Sequence, residues 1–276
     1  MPPAEKAYKN LSFLNSPGAR HIRILCEYEE PRARFREHGI RDTIVMFGSA
    51  RVRSGEQAAS DVRAARRELE SEPADSTHRP YLERTLVQAE RAARVAVYYD
   101  QARELSKRLA AWGTSRKGGR QFHICSGAGP GIMEAANRGA AEAGAKNVGL
   151  GISLPFEEAA NAYVSPELCF EFHYFFMRKY WFTYLAKAMV VFPGGFGTMD
   201  ELFEILTLRQ TGKVKKRLPM VLFGREYWDR VLNLDAMVEW GVISERDLLL
   251  VHRTDSVDDA YEFLTSQLST DDKEGA

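Results

Sequence analysis

Cysteine is scarce in this sequence: Cys26, Cys125 and Cys169 are widely spaced, and no two of them form a Cys-x-x-Cys pair. An odd, scattered set offers neither a disulfide framework nor a zinc site, and it fits a reducing cytoplasm. Neither sign of charge is in excess. The 38 Lys and Arg balance 38 Asp and Glu, so there is no overall basic field to draw a nucleic acid. No apolar run approaches the ~20 residues of a membrane span. The opening Met-Pro-Pro-Ala-Glu-Lys lacks the charged-then-apolar layout of a secretory signal. The expectation is a cytoplasmic chain with no nucleic-acid, membrane or metal partner. What is present is ordinary for a globular protein: 276 residues, 45% apolar and 28% charged, enough to bury the core of one large domain with helical additions.

Along the chain, residues 1–41 read as an N-terminal helical extension, with a helix from Ile22 to His38 that turns Arg23, Arg32, Arg34 and Arg36 outward. Thr43 to Phe47 is a short apolar strand ending in Gly48-Ser49-Ala50-Arg51. Residues 54–92 change to Arg, Glu and Ala broken by Pro73 and Pro80, which reads as a solvated helical insertion. Its second helix is expected to run on through Tyr98 to Trp112. Strands and helices then alternate: a strand at Phe122–Cys125, a helix from Ile132 to about Ala143, a strand at Val148–Leu154, a helix at Phe175–Lys187 and a strand at Met189–Phe192. Further strands are expected at Met220–Phe223 and Leu248–Val251, and a polar, disordered tail at 269–276. Buried strands alternating with helices predict an α/β fold, a doubly wound, Rossmann-like parallel sheet with helices on both faces, over residues 42–268.

In such sheets ligands sit outside the carboxyl ends of the strands. Three small-residue turns fall at such ends, at Gly48, at Ser126-Gly127-Ala128-Gly129-Pro130-Gly131 and at Pro193-Gly194-Gly195-Phe196-Gly197. Glycines allow tight turns and close approach of a ligand to the backbone. The last turn feeds a helix expected to begin at Thr198, whose unpaired N–H groups and positive dipole end suit an anion such as phosphate. One turn on stands Glu201. Thr198-x-x-Glu201 is also a capping box, in which Glu201 would only tie down the helix start. In the preceding helix Arg178 and Lys179 point about 100° apart. They read either as surface charges or as a guanidinium at the pocket rim, paired with a carboxylate or phosphate.

Gly-Ser-Ala-Arg at 48–51, Ser-Gly-Ala-Gly-Pro-Gly-Ile-Met-Glu-Ala at 126–135, Met-Arg-Lys at 177–179 and Pro-Gly-Gly-Phe-Gly-Thr-Met-Asp-Glu at 193–201 occur in that order. As a set they resemble the LOG (Lonely Guy) family of cytokinin riboside 5′-monophosphate phosphoribohydrolases and their bacterial nucleotide-nucleosidase relatives, over about residues 42–268. The resemblance implies hydrolysis of the N-glycosidic bond of a nucleoside 5′-monophosphate, AMP or a cytokinin precursor, without a cofactor. It maps the catalytic arginine and glutamate onto Arg178 and Glu201, with Arg178 holding Glu201 ionised. Ser49, Gly127, Gly129, Gly131, Glu134, Lys179, Gly194, Gly195, Gly197 and Thr198 are then expected to bind phosphate or substrate. It also implies a homodimer or larger homo-oligomer. Folds of this type serve as non-catalytic nucleotide or molybdenum-cofactor carriers too, which need the cradle but not the Arg178 and Glu201 pair. Family members often carry the label of possible lysine decarboxylases, yet Lys179 and Lys187 read as ordinary helix lysines.

Overall fold

The computed structural model describes residues 4–116, 120–154 and 159–274. After a short turn of helix, α1 (Leu11–Leu14), comes α2 (Arg20–Glu37), then β1 (Thr43–Phe47). A helical hairpin follows, α3 (Gly55–Ser71) and α4 (Arg79–Val95), and then α5 (Val97–Ser115). The chain goes on through β2 (His123–Ser126), α6 (Ile132–Glu142), β3 (Asn147–Ile152), β4 (Cys169–Phe172) and α7 (Phe175–Leu185). β5 (Ala186–Val191), α8 (Phe196–Gln210) and β6 (Met220–Phe223) come next. Three short helices, α9 (Arg225–Val231), α10 (Leu234–Glu239) and α11 (Glu245–Leu248), precede β7 (His252–Thr254) and α12 (Val257–Glu274).

The strands form one seven-stranded sheet in the order β4-β3-β2-β1-β5-β6-β7, parallel throughout. All five residues of β1 are buried, as a central strand covered on both faces requires. Successive side chains point to opposite faces. Val45 and Phe47 pack with Phe35 of α2, Trp181 and Phe182 of α7 and Leu202 of α8. Ile44 and Met46 pack with Leu105 and Leu109 of α5, Ala135 and Ala140 of α6 and Leu264 of α12. α5 and α6 meet closely because a methyl at Gly139 would stand 2.1 Å from the Arg103 carbonyl oxygen. Winding runs outward from β1 to β4, then returns across to β5. The reversal puts a switch point between β1 and β5, the place where such sheets bind ligands.

The expected fold class stands, with several local differences. The insertion's second helix breaks at Ala96 before α5. Arg23 and Arg34 do not simply face outward: Arg23 donates to the Leu14 and Ser16 carbonyls, and Arg34 donates to the Glu167 and Cys169 carbonyls and stacks on Phe170. α7 stops at Leu185, because Lys216 Nζ takes up the Thr183 and Tyr184 carbonyls at 2.7 and 3.0 Å; Lys187 therefore lies on β5, not in a helix. Leu248 closes α11 and does not begin a strand, since a Ser244–Asp247 capping box starts a helix there and shifts β7 to His252–Thr254. α12 reaches Glu274, past the boundary drawn at 268, because polar residues mark solvent contact and do not by themselves end a helix. Among the described residues no helix is long and apolar enough to cross a membrane, and no His, Cys, Asp or Glu group is arranged to hold a metal.

Candidate active site

The three small-residue turns do converge. Phe192 N donates to the Phe47 carbonyl at 2.8 Å, Ser49 N to the Pro193 carbonyl at 3.0 Å and Ile132 N to the Ser49 carbonyl at 3.1 Å. These main-chain bonds lock the ends of β1, β2 and β5 into one cleft at the switch point. Gly48 and Gly131 are demanded by that contact. A methyl at Gly48 would stand 2.6 Å from the Ile132 side chain, and one at Gly131 (φ 71°) would stand 2.3 Å from the Ser49 carbonyl oxygen. Ala128 sits in the left-handed region as well, at φ 65°. Asn161 holds it there, with its Nδ2 donating to the Ala128 and Gly129 carbonyls at 2.9 and 3.0 Å.

The third turn sorts its glycines into two kinds. A methyl at Gly194 would stand 2.1 Å from Thr198 Oγ1, so the turn itself needs that glycine. Gly195 and Gly197 have nothing within 4 Å of that position, so packing does not require them. The open backbone there is room for a ligand. α8 starts at Phe196 with Gly195 as its N-cap, which places Thr198 third in the helix. The capping-box alternative for Glu201 therefore falls. The first-turn N–H groups of Phe196, Gly197 and Thr198 have no helical carbonyl behind them and suit an anion. Tyr227, from α9, donates its hydroxyl to the Gly194 carbonyl and fixes the turn from outside.

Glu201 is buried, with 8% of its surface exposed. Burial pushes its carboxyl up to about 7, against the opposing pull of Arg178 and Lys179, with Glu204 and Asp200 adding to the rise. The expectation that Arg178 holds Glu201 ionised meets an opposing effect: the cation pulls as expected, and desolvation outweighs it. Arg178 reaches the cleft floor. Its Nε donates to the Leu150 carbonyl at 2.8 Å, its guanidinium lies over the Phe182 ring, and a methyl at Gly127 would stand 2.7 Å from its Nη2. Burial lowers the Arg178 pKa, and the nearby charge of Glu201 raises it. The two form no ion pair with each other, and each feels the other's charge without direct contact.

Two expected binding residues are engaged elsewhere. Lys179 pairs with Asp200 at 2.8 Å and Glu204 at 2.9 Å, so it pins α7 to α8 in place of facing a phosphate. Glu134 accepts the Tyr99 hydroxyl at 2.5 Å, and that hydroxyl is itself pushed up to about 12, by burial first and then by the Glu134 contact. Ser49 Oγ accepts from Arg51 N at 3.1 Å within its own turn. Gly129 borders Met133, whose methyl would lie 2.8 Å from an added Cβ. Sequence reasoning missed Tyr227, Tyr99 and Asn161, which act on motifs 33, 35 and 32 to 33 residues away, with no local pattern to mark them.

Residues 133–264 match the family model described as possible lysine decarboxylase, which is the LOG family. The match runs from α6 to α12 and is a similarity over that segment. No curated protein matches it. Among solved structures, the X-ray structure titled TM1055, a structural-genomics target, is 22% identical, with 82% of this chain and 99% of that one covered and a TM-score of 0.49. The Moco carrier protein from Chlamydomonas reinhardtii is 20% identical, with 83% and 99% covered and a TM-score of 0.46. The decarboxylase wording of the family description finds little in this domain's lysines. Lys179 is held by two carboxylates, and Lys187 contacts Asp42 at 3.4 Å at the amino end of the sheet.

Proposed function

We propose that this chain hydrolyses the N-glycosidic bond of a nucleoside 5′-monophosphate, AMP or a related purine nucleotide, giving free base and ribose 5-phosphate. The observation that carries the reading is the pairing of an open glycine cradle at Gly195 and Gly197 with a buried carboxyl, Glu201, near neutrality six positions into the same helix. The 5′-phosphate binds at the start of α8, and its binding energy places the ribose above Glu201. The C1′–N bond breaks with its electron pair leaving on the base, through an oxocarbenium-like state that the Glu201 carboxylate stabilises. Glu201 then takes a proton from the attacking water, the hydroxyl adds to C1′, and Glu201 returns that proton through solvent to the departing base, which leaves neutral as the carboxylate is regenerated. The Arg178 charge favours the ionised form of that carboxylate against its burial, and in this reading it also stabilises charge on the departing base.

Incubation with a panel of nucleoside monophosphates, assayed for free base and ribose 5-phosphate, tests the reading. Release of both from AMP is expected. Tight binding without any release would favour a carrier in its place. We also propose a homo-oligomer. It is supported by a groove of about 530 Å³ between α7 and α8 that Phe176, Tyr180, Tyr184 and Leu208 line, with Tyr184 58% exposed. Sedimentation of the wild type against Tyr184→Glu is the check.

A further inference from the structure

α7 carries Arg178 but does not seat itself. Its N-cap residue, Tyr174, supplies no side-chain cap, and the chain reaches it from β4, the edge strand of the sheet. The missing acceptors come from α2, far upstream and outside the matched family segment. Glu27 Oε1 accepts from His173 N at 2.8 Å, and Oε2 accepts from Tyr174 N at 3.2 Å. The Glu27 main-chain carbonyl accepts from the Trp181 indole at 3.0 Å. One residue therefore grips both ends of the first two turns of α7. Tyr28, beside it, stacks on Trp181 with ring centres 5.7 Å apart.

The grip leads straight to the guanidinium. Tyr174, whose N–H Glu27 holds, accepts from Arg178 N through its carbonyl at 3.2 Å. Arg178 Nε is then fixed to the Leu150 carbonyl at 2.8 Å. Carboxylate, cap residue, arginine backbone and arginine side chain form one unbroken series. A charge-assisted bond to a helix's first N–H groups is among the stronger contacts a surface carboxylate makes. We infer that Glu27 is the positioning residue for Arg178: by seating the start of α7 it sets where the guanidinium stands relative to Glu201. The inference rests on reading Arg178 and Glu201 as the working pair.

The test is a carbon-13 titration of the Glu201 carboxyl in the wild type, Glu27→Gln and Glu27→Ala, run beside thermal melts and turnover of AMP. The groups that face Glu201 are Arg178, Lys179, Asp200 and Glu204, and none is altered by these variants. Loss of Arg178 placement removes a downward pull, so Glu27→Ala is expected to raise the Glu201 midpoint by roughly half a unit or more. It is also expected to lower kcat on the order of 10- to 100-fold with KM little changed. Glu27→Gln keeps one acceptor oxygen and is expected to recover most of both. A Glu27→Ala protein that melts earlier yet keeps the wild-type Glu201 midpoint and kcat overturns the inference and leaves Glu27 as a plain helix cap. If Glu27→Ala does not fold, Glu27→Asp takes its place, because its shorter carboxylate draws back from His173 N and Tyr174 N; an unmoved midpoint and kcat there overturn the inference equally. A wild type that turns over no nucleotide defeats the hydrolase reading alone, because the titration still reports where Arg178 stands.

Discussion

Arg178 pulls the Glu201 carboxyl down, burial pushes it up, and burial prevails, leaving the group at about 7. An acid poised there is half ionised at neutral pH. Since the proposed chemistry uses the carboxylate, kcat/KM is expected to rise about tenfold per pH unit below 7 and to level off above it. Initial rates from pH 5 to 9 measure this. A flat profile would remove Glu201 from the rate-determining chemistry.

The same shift has a stability side. The folded value lies above the ordinary carboxylate value of 4.5, so the native state binds the proton more tightly than the unfolded chain. The contribution is fully present below the unfolded value and is lost as pH rises through about 7. Glu201→Gln stays neutral throughout. It is expected to lose roughly 10²- to 10⁴-fold in turnover, while gaining on the order of 2–3 kcal/mol on the wild type between pH 4 and pH 8. Denaturant melts at the two pH values decide it; parallel shifts would contradict the buried-carboxyl account.

The glycines of the third turn separate packing from binding. Gly194→Ala meets the stiff Thr198 side chain and is expected to lower the melting temperature. Gly195→Ala and Gly197→Ala have open space and are expected to melt close to the wild type. Their effect should appear as a raised KM and weaker phosphate binding by calorimetry. Unchanged affinity in both would place the anion elsewhere.

Lys179→Met tests the reassignment of that lysine. Its two ion pairs join α7 to α8, with Asp200 56% and Glu204 33% exposed, so the loss should be about 1 kcal/mol. KM for a nucleotide should stay near the wild-type value. A KM raised tenfold or more would restore Lys179 to the phosphate site.

His123 offers a check remote from the cleft, at the amino end of β2. Burial, aided by Lys146, lowers its pKa, and its Nδ1 is buried without a hydrogen-bond partner. A base depressed in the folded state favours folding above its unfolded value and costs stability as pH falls below ~6.5. His123→Gln is expected to flatten that acid limb of the stability curve.

The alternation of apolar strands with helices made the parallel sheet legible, and the glycine turns at strand ends made the cleft legible. Both depend on local patterns, period and turn chemistry, which a sequence carries openly. Less legible was whatever depends on a distant partner. Lys216 ending α7, Tyr227 holding Gly194 and Glu27 seating Tyr174 are contacts across 32 to 33, 33 and 147 residues. Lys179 and Arg178 are neighbours, and only the packing of α8 against α7 sends one to a surface carboxylate pair and the other to the cleft floor. The Glu201 carboxyl followed the same rule: its nearest cation was readable from motif order, whereas the desolvation that outweighs it was not.

The bonds that draw the three turns together, Phe192 to Phe47, Ser49 to Pro193 and Ile132 to Ser49, run between main-chain atoms. Such a frame places few demands on side-chain identity beyond the glycines it needs for clearance. Phe196, 96% exposed at the lip of the cleft, is free of the frame altogether. Positions of that kind can be exchanged, in the laboratory or by descent, while the main-chain frame stays as it is.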